Sequence, residues 1–196
     1  MRLITIGACL VMLLAHLTAL GLSDLSAMRS PISQLSRGAG GTLHTSGLII
    51  FGLAHLTLAG YLARLKPPSF MWRTGVWITA LNGIGVMAIA VYFSTASDEQ
   101  LFGPNANDPL SVLASSVGIA MGFLIPGLKY LSSMATRFNA LCLLIWLALI
   151  PVILLLDASW LGAYERIVGA VLISWVGGIA LLTSRETAHT ELSERT

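Results

Sequence analysis

Six times along this chain of 196 residues an apolar run of about twenty residues recurs, the length that a helix needs to cross a bilayer. The windows fall at about residues 3–22, 43–63, 75–94, 110–131, 138–157 and 164–183. Breakers stand between them: Pro31 with Gly38, Gly40 and Gly41, then Pro67 and Pro68, Pro104 and Pro109, Ser132 and Ser133, and Asp157 with Gly162. In hydrocarbon every backbone N–H and C=O must be paired within its own segment, so these runs read as helices. Short connections make consecutive helices antiparallel neighbours. The expected fold is all-α: a polytopic membrane bundle of six transmembrane helices (1–183) with a short external helix in the first loop. A polar tail (184–196), expected to be disordered, follows it.

Composition supports lipid as the solvent. The chain is 56% hydrophobic and only 10% charged, against about 25% charged in an ordinary soluble domain. A net charge of +2 without a basic run excludes nucleic acid as a partner. Cys9 and Cys142 both lie inside apolar windows and read as small buried hydrophobes rather than a disulfide or a metal pair. The opening segment, "MRLITIGACLVMLLAHLTALGLSDLSA", has the arginine and small-residue end of a signal peptide. Its apolar run is longer than the core of a signal, which favours a retained span.

Lysines and arginines give an orientation. With the N-terminus in the cytoplasm, the inner side holds Arg2, Arg64, Lys66, Arg73, Lys129, Arg137, Arg185 and Arg195, eight against the three outside, Arg29, Arg37 and Arg166. The expectation is a multi-pass protein of the inner (cytoplasmic) membrane with both termini cytoplasmic. Small residues recur at four-residue spacing: Gly75, Thr79 and Gly83; Ala114, Gly118 and Gly122; Ala170, Ser174 and Gly178. Such stripes let helices approach closely. Packing within the chain is the first reading, a homo-oligomer the alternative.

The most polar stretch is the first loop, "SPISQLSRGAGGTLHTSG" (30–47). Ser30 as N-cap, Pro31 as first helical residue and Gly38 as a left-handed stop predict a short external helix over about 31–37. Its Ile32 and Leu35 would face the bundle, leaving Ser33, Gln34 and Arg37 on the other faces. The glycines are not a nucleotide loop. "GAGGTL" lacks the third glycine of a dinucleotide fingerprint, no P-loop lysine follows, and no strand precedes it.

Four pieces of the chain carry a resemblance: "PISQLSRG" (31–38), "GLIIFG" (47–52), the acidic "FSTASDEQLFGPNAND" (93–108) and "GAYERIVGAVL" (162–172). Together they resemble the domain of unknown function 998 family of six-span membrane proteins, and the resemblance covers nearly the whole chain. A fainter similarity points to the Frag1/DRAM/Sfk1 group, which is linked to lipid organisation. The third loop departs from the family pattern, in which a Phe-Pro-x-Asp turn precedes a histidine opening the fourth span. Here Phe93-Ser-Thr-Ala-Ser-Asp98 stands, with no histidine. The family has no established activity, so the resemblance implies architecture and no chemistry.

Polar groups are expected to gather where the first, third and fifth loops meet outside. Arg166 lies in the first turn of the sixth span, where the helix dipole disfavours a cation, so it needs an acid or binds an anion. Asp157 is its expected salt-bridge partner, with Asp24, Asp108 and Glu165 as alternatives. Asp108 before Pro109 reads as an N-cap, and Asp98 and Glu99 as solvated loop acids. His44 sits near the top of the second span, and His55, eleven residues on, about 16 Å deeper. His16 lies about 9 Å below the outer end of the first span. Intramembrane histidines are functional candidates, although a neutral histidine bonded between helices is the plainer reading for His16 and His55. A bis-histidine haem on that pair misses by about 9 Å in depth, so no cofactor is expected. The ligands are too scattered for a metal site. Asn82 reads as an interhelical hydrogen-bonding residue.

The expected function is binding of a lipid or amphipathic anionic ligand in an outward-facing polar pocket, with Ser33, Gln34, Arg37, His44, Asp108, Asp157, Glu165 and Arg166 as candidate residues. The partners would be membrane lipids. The alternative is a membrane hydrolase or lipid-modifying enzyme at the same place, with Ser33 or Ser36 as nucleophile and His44 as base. No nucleophile-elbow motif supports it. Transport is a lesser reading, since no broken helix pair or charged midplane residue marks a pathway.

Overall fold

The computed structural model describes residues 1–65, 67, 69–96 and 109–193. Among them no strand occurs, and six helices are long and apolar enough to cross a membrane. The order is α1 (Arg2–Gly21), a single external turn α2 (Ile32–Leu35), α3 (Gly41–Leu65), α4 (Phe70–Thr95), α5 (Pro109–Leu131), α6 (Ser133–Leu155), a 3-10 turn (Ala158–Trp160) and α7 (Leu161–Ser193). The breakers act as caps. Ser69 Oγ accepts from the Trp72 N–H and Ser132 Oγ from the Ala135 N–H, each satisfying an orphan donor of a first turn. Each spanning helix packs on the next, and α7 returns to α1, so the six close into an antiparallel ring.

Two expectations are corrected. The segment expected to be a disordered tail continues α7 as helix through Ser193. The first-loop helix is shorter than 31–37, and its caps differ: Pro31 is the N-cap, and the C-cap, Ser36, is right-handed. Gly38 supplies no left-handed stop; its carbonyl accepts from the Gly41 N–H at 2.8 Å. Leu35 is fully buried as expected, but Ile32 is only half-buried and Ser33, expected on another face, is buried too.

The small-residue stripes chiefly serve contacts within the chain. A Cβ on Gly83 would lie 2.6 Å from the Gly52 carbonyl oxygen, and one on Gly75 would press on Leu124. The Trp72 indole lies flat on Gly127, just after Pro126 in α5, and Trp146 covers Gly118. Phe138 fills the space above Gly178, whereas Ala170 and Ser174 are exposed on α7. Nothing approaches Gly122 within 4 Å.

Buried polar links supplement this packing. Trp175 Nε1–H donates to Asn139 Oδ1 at 2.8 Å, and Asn139 Nδ2 donates to the Met121 carbonyl at 2.8 Å, tying α5, α6 and α7 together. Trp146 Nε1–H reaches the Ala114 carbonyl, and the Thr5 and Thr57 hydroxyls meet at 2.9 Å. Asn82 takes the expected interhelical role, its Oδ1 accepting from Ser116 Oγ. Trp175→Phe shrinks a fully buried indole to a phenyl ring and removes the N–H donor from the Asn139 side-chain oxygen. It should cost about 2–3 kcal/mol, read as a lower denaturation midpoint in detergent. An unchanged midpoint would show that the Asn139 link adds nothing to stability.

Candidate functional site

Helices α1 and α3 approach through small residues. Gly40 lies on Ala19, where a Cβ would come within 2.5 Å of the Ala19 Cα, and Gly47 lies on Ala15. His16 sits between Ala15 and Ala19, and His44 between Gly40 and Gly47. The crossing therefore sets the two imidazoles edge to face, with centroids 5.2 Å apart. The sequence reading compared the depth of His16 with that of His55; the helix crossing pairs it with His44. His44 is fully buried, and neither ring nitrogen has a hydrogen-bond partner among the described residues.

The first loop folds down onto the start of α7. The Ala163 N–H donates to the Met28 carbonyl at 3.0 Å. Arg166 Nη1 lies 2.8–2.9 Å from three carbonyl oxygens, those of Ala27, Ser30 and Gly162. Gly162 permits this approach, since a Cβ there would lie 2.5 Å from the Ser30 oxygen and 2.9 Å from Arg166 Nη1. Beside it, Glu165 Oε2 accepts from the Ile32 N–H at 2.5 Å. That bond explains the departure from the expected caps, because the donor at the start of α2 is satisfied by a carboxylate from α7 rather than by Ser30.

Arg166 is not paired with Asp157, and the expected salt bridge is thereby corrected. Asp157 is exposed and starts the 3-10 turn, its Oδ1 accepting from the Ser159 N–H at 2.8 Å. The bonds from the Ser159 backbone and hydroxyl hold this carboxyl below the usual carboxylate range. Glu165 lies within electrostatic range of Arg166. Even so, the Arg166 Nε and Nη2 atoms are buried and meet no acceptor among the described residues. These two nitrogens form the side-on fork with which a guanidinium holds a carboxylate or phosphate in two parallel bonds. The charge of Arg166 acts on both His16 and His44.

The remaining candidates divide. Arg37 Nε–H donates to the Phe93 carbonyl at the end of α4, so this side chain ties the loop to α4. Ser33 and Ser36 are buried and Gln34 is half-buried. Neither serine is hydrogen-bonded to His44, whose ring nitrogens meet no partner among the described residues, so the nucleophile–base pair of the hydrolase reading is not formed there. Asp98, Glu99 and Asp108 lie outside the described residues. His55 is central and fully buried, with Nδ1 against the Phe51 carbonyl and its ring edge-on to Phe51. Among the described residues no three His, Cys, Asp or Glu side chains form a metal-binding group. The first loop is bonded over this cluster at Ala27, Met28, Ser30 and Ile32. Gly162, read from the sequence only as a breaker, shapes it; the signal was a glycine four residues before the arginine.

The fold and this cluster define a multi-pass, six-helix membrane protein whose sixth span carries a clamped arginine at its start. The family model for proteins of unknown function DUF998 matches residues 5–182, and the chain belongs to that family. Neither the curated proteins nor the solved structures contain a match to the chain.

Proposed function

We propose that this protein resides in the cytoplasmic membrane with both termini inside and binds an oxyanion-bearing amphipathic ligand where α1, α3 and α7 meet the first loop. Membrane lipids with an anionic headgroup are its partners. The observation that carries the reading is the buried side-on fork of Arg166, which meets no acceptor among the described residues. Each donor buried without a partner costs about 1–3 kcal/mol, a penalty that an oxyanion removes. Nη1 is fully engaged by backbone, which fixes the direction in which the fork points. The His44 imidazole adds a polar edge that donates from whichever nitrogen carries its proton. The ligand reaches the fork when the 27–37 segment lifts. The eight-to-three distribution of lysine and arginine supports an outward orientation for this end.

Arg166→Lys separates ligand binding from loop anchoring. An ammonium still reaches carbonyls but has no fork. Native mass spectrometry of the purified protein titrated with phosphatidylglycerol should show retention weakened about ten-fold in this variant, from loss of one bidentate interaction. Inorganic phosphate as a second probe tells a free anion from a lipid: competition by phosphate alone assigns the site to a soluble oxyanion. Equal lipid retention by the two proteins would overturn the reading. So would an Asp108→Asn variant destabilised as strongly as one lacking the guanidinium, because the fork's partner would then be that carboxylate.

A further inference from the structure

At the end of the bundle remote from Arg166, the turn from α3 to α4 opens into a cleft of about 840 Å³. Its walls combine three kinds of group. Arg73 is exposed, with no acidic partner among the described residues. Ser69 caps α4 there with its hydroxyl on the Trp72 N–H, leaving the amides of the first turn toward the end of the helix. Trp72, only 2% exposed, lines the cleft with its ring on Gly127, and its buried Nε1–H meets no acceptor among the described residues. Phe70 and Trp77 are 82% and 71% exposed on the same wall.

We propose that this cleft is a second, independent site that holds an anionic phospholipid of the leaflet on the Arg73 side, phosphate against Arg73 and acyl chain along Trp77. The vertical order of the groups matches that occupant. Trp77 lies seven residues beyond Phe70 in α4, about 10 Å deeper along the helix. The cation and the capped helix start therefore stand at headgroup level and the exposed indole at the top of the acyl region, the depth at which aromatic belts lie. A soluble anion would use the upper half of this cleft and leave the aromatic half bare. The surrounding charge agrees, since Arg2 and Arg137 at helix starts and Arg64 and Lys129 at helix ends fall at the same end of the antiparallel bundle. The basic enrichment that sets the orientation therefore also raises the local concentration of anionic headgroups.

The test uses the full chain in detergent, titrated with phosphatidylglycerol and with phosphatidylcholine of the same acyl chains, and followed by native mass spectrometry. Wild type should prefer phosphatidylglycerol, and Arg73→Gln should weaken that binding about five-fold while leaving phosphatidylcholine unchanged. Because Arg73 is exposed, the variant keeps its melting temperature. A photoactivatable phosphatidylglycerol should crosslink to residues 63–77, and Arg166→Lys should leave that crosslink intact. Loss of one lipid with each variant separates the two sites. No preference between the two lipids, unchanged binding by Arg73→Gln, or crosslinks confined to the Arg166 end would overturn the proposal.

Discussion

Arg166→Gln is expected to lower the stability of the protein by about 2–4 kcal/mol and to release the first loop. Three backbone oxygens, those of Ala27, Ser30 and Gly162, converge on one guanidinium nitrogen. A hydrogen bond from a charged donor contributes about 1.5–3 kcal/mol, and the oxygens do not all regain partners when it is removed. The loss is partly offset, because the substitution also removes the fork donors that are buried without acceptors. The effect should be local as well as global. Amide exchange should accelerate over residues 27–37, with the Ile32 amide slower to respond because Glu165 still holds it. Exchange unchanged in that segment would show that the loop is held by Leu35 packing and not by the arginine.

The second large effect concerns the crossing of α3 and α4. Gly83→Leu should lower the SDS-denaturation midpoint by the equivalent of about 3 kcal/mol or more. The first added carbon already lies 2.6 Å from the Gly52 carbonyl and 2.9 Å from the His55 Cβ. A backbone carbonyl on a neighbouring helix cannot rotate aside, so the two helices must separate along their length and uncover the buried His55 and Thr79. Gly122→Ala is the matched control. With nothing within 4 Å of its Cβ, it should change stability by no more than about 0.5 kcal/mol. A Gly83→Leu variant as stable as wild type would mean that the approach of α3 to α4 does not depend on this glycine, since helix propensity alone favours both substitutions.

The spans were legible because a bilayer imposes one length and one composition on each of them. The window expected at about 43–63 became Gly41–Leu65, and that expected at about 164–183 became the apolar part of a helix starting at Leu161. Asn82 was legible for a related reason: an amide in hydrocarbon must find a partner, here Ser116. The candidate site was legible only as a list. Arg166 and His44 were singled out because a cation in a first turn and an intramembrane histidine are each costly. Their partners were not. Asp157, near in sequence, spends its carboxylate on the Ser159 amide, while Ala27 and Ser30, more than 130 positions away, take the guanidinium. The Asn139–Trp175 link was missed because neither residue is unusual until the facing helix is known.

By itself, then, the sequence determined that this chain is a six-span helical membrane protein, which of its side chains are costly in lipid, and where the helices can come close. Those properties depend on hydrophobic length, single-residue desolvation and side-chain size, and each is local to the chain. Tertiary structure decided that His16 faces His44, that the first loop is clamped by Arg166 and Glu165, and that the side-on fork of Arg166 meets no acceptor among the described residues. These depend on the angle and rotation at which α1, α3 and α7 meet. Contacts such as Gly40 on Ala19 and Gly162 on Ser30 set that geometry, through backbone approach distances that no single segment encodes.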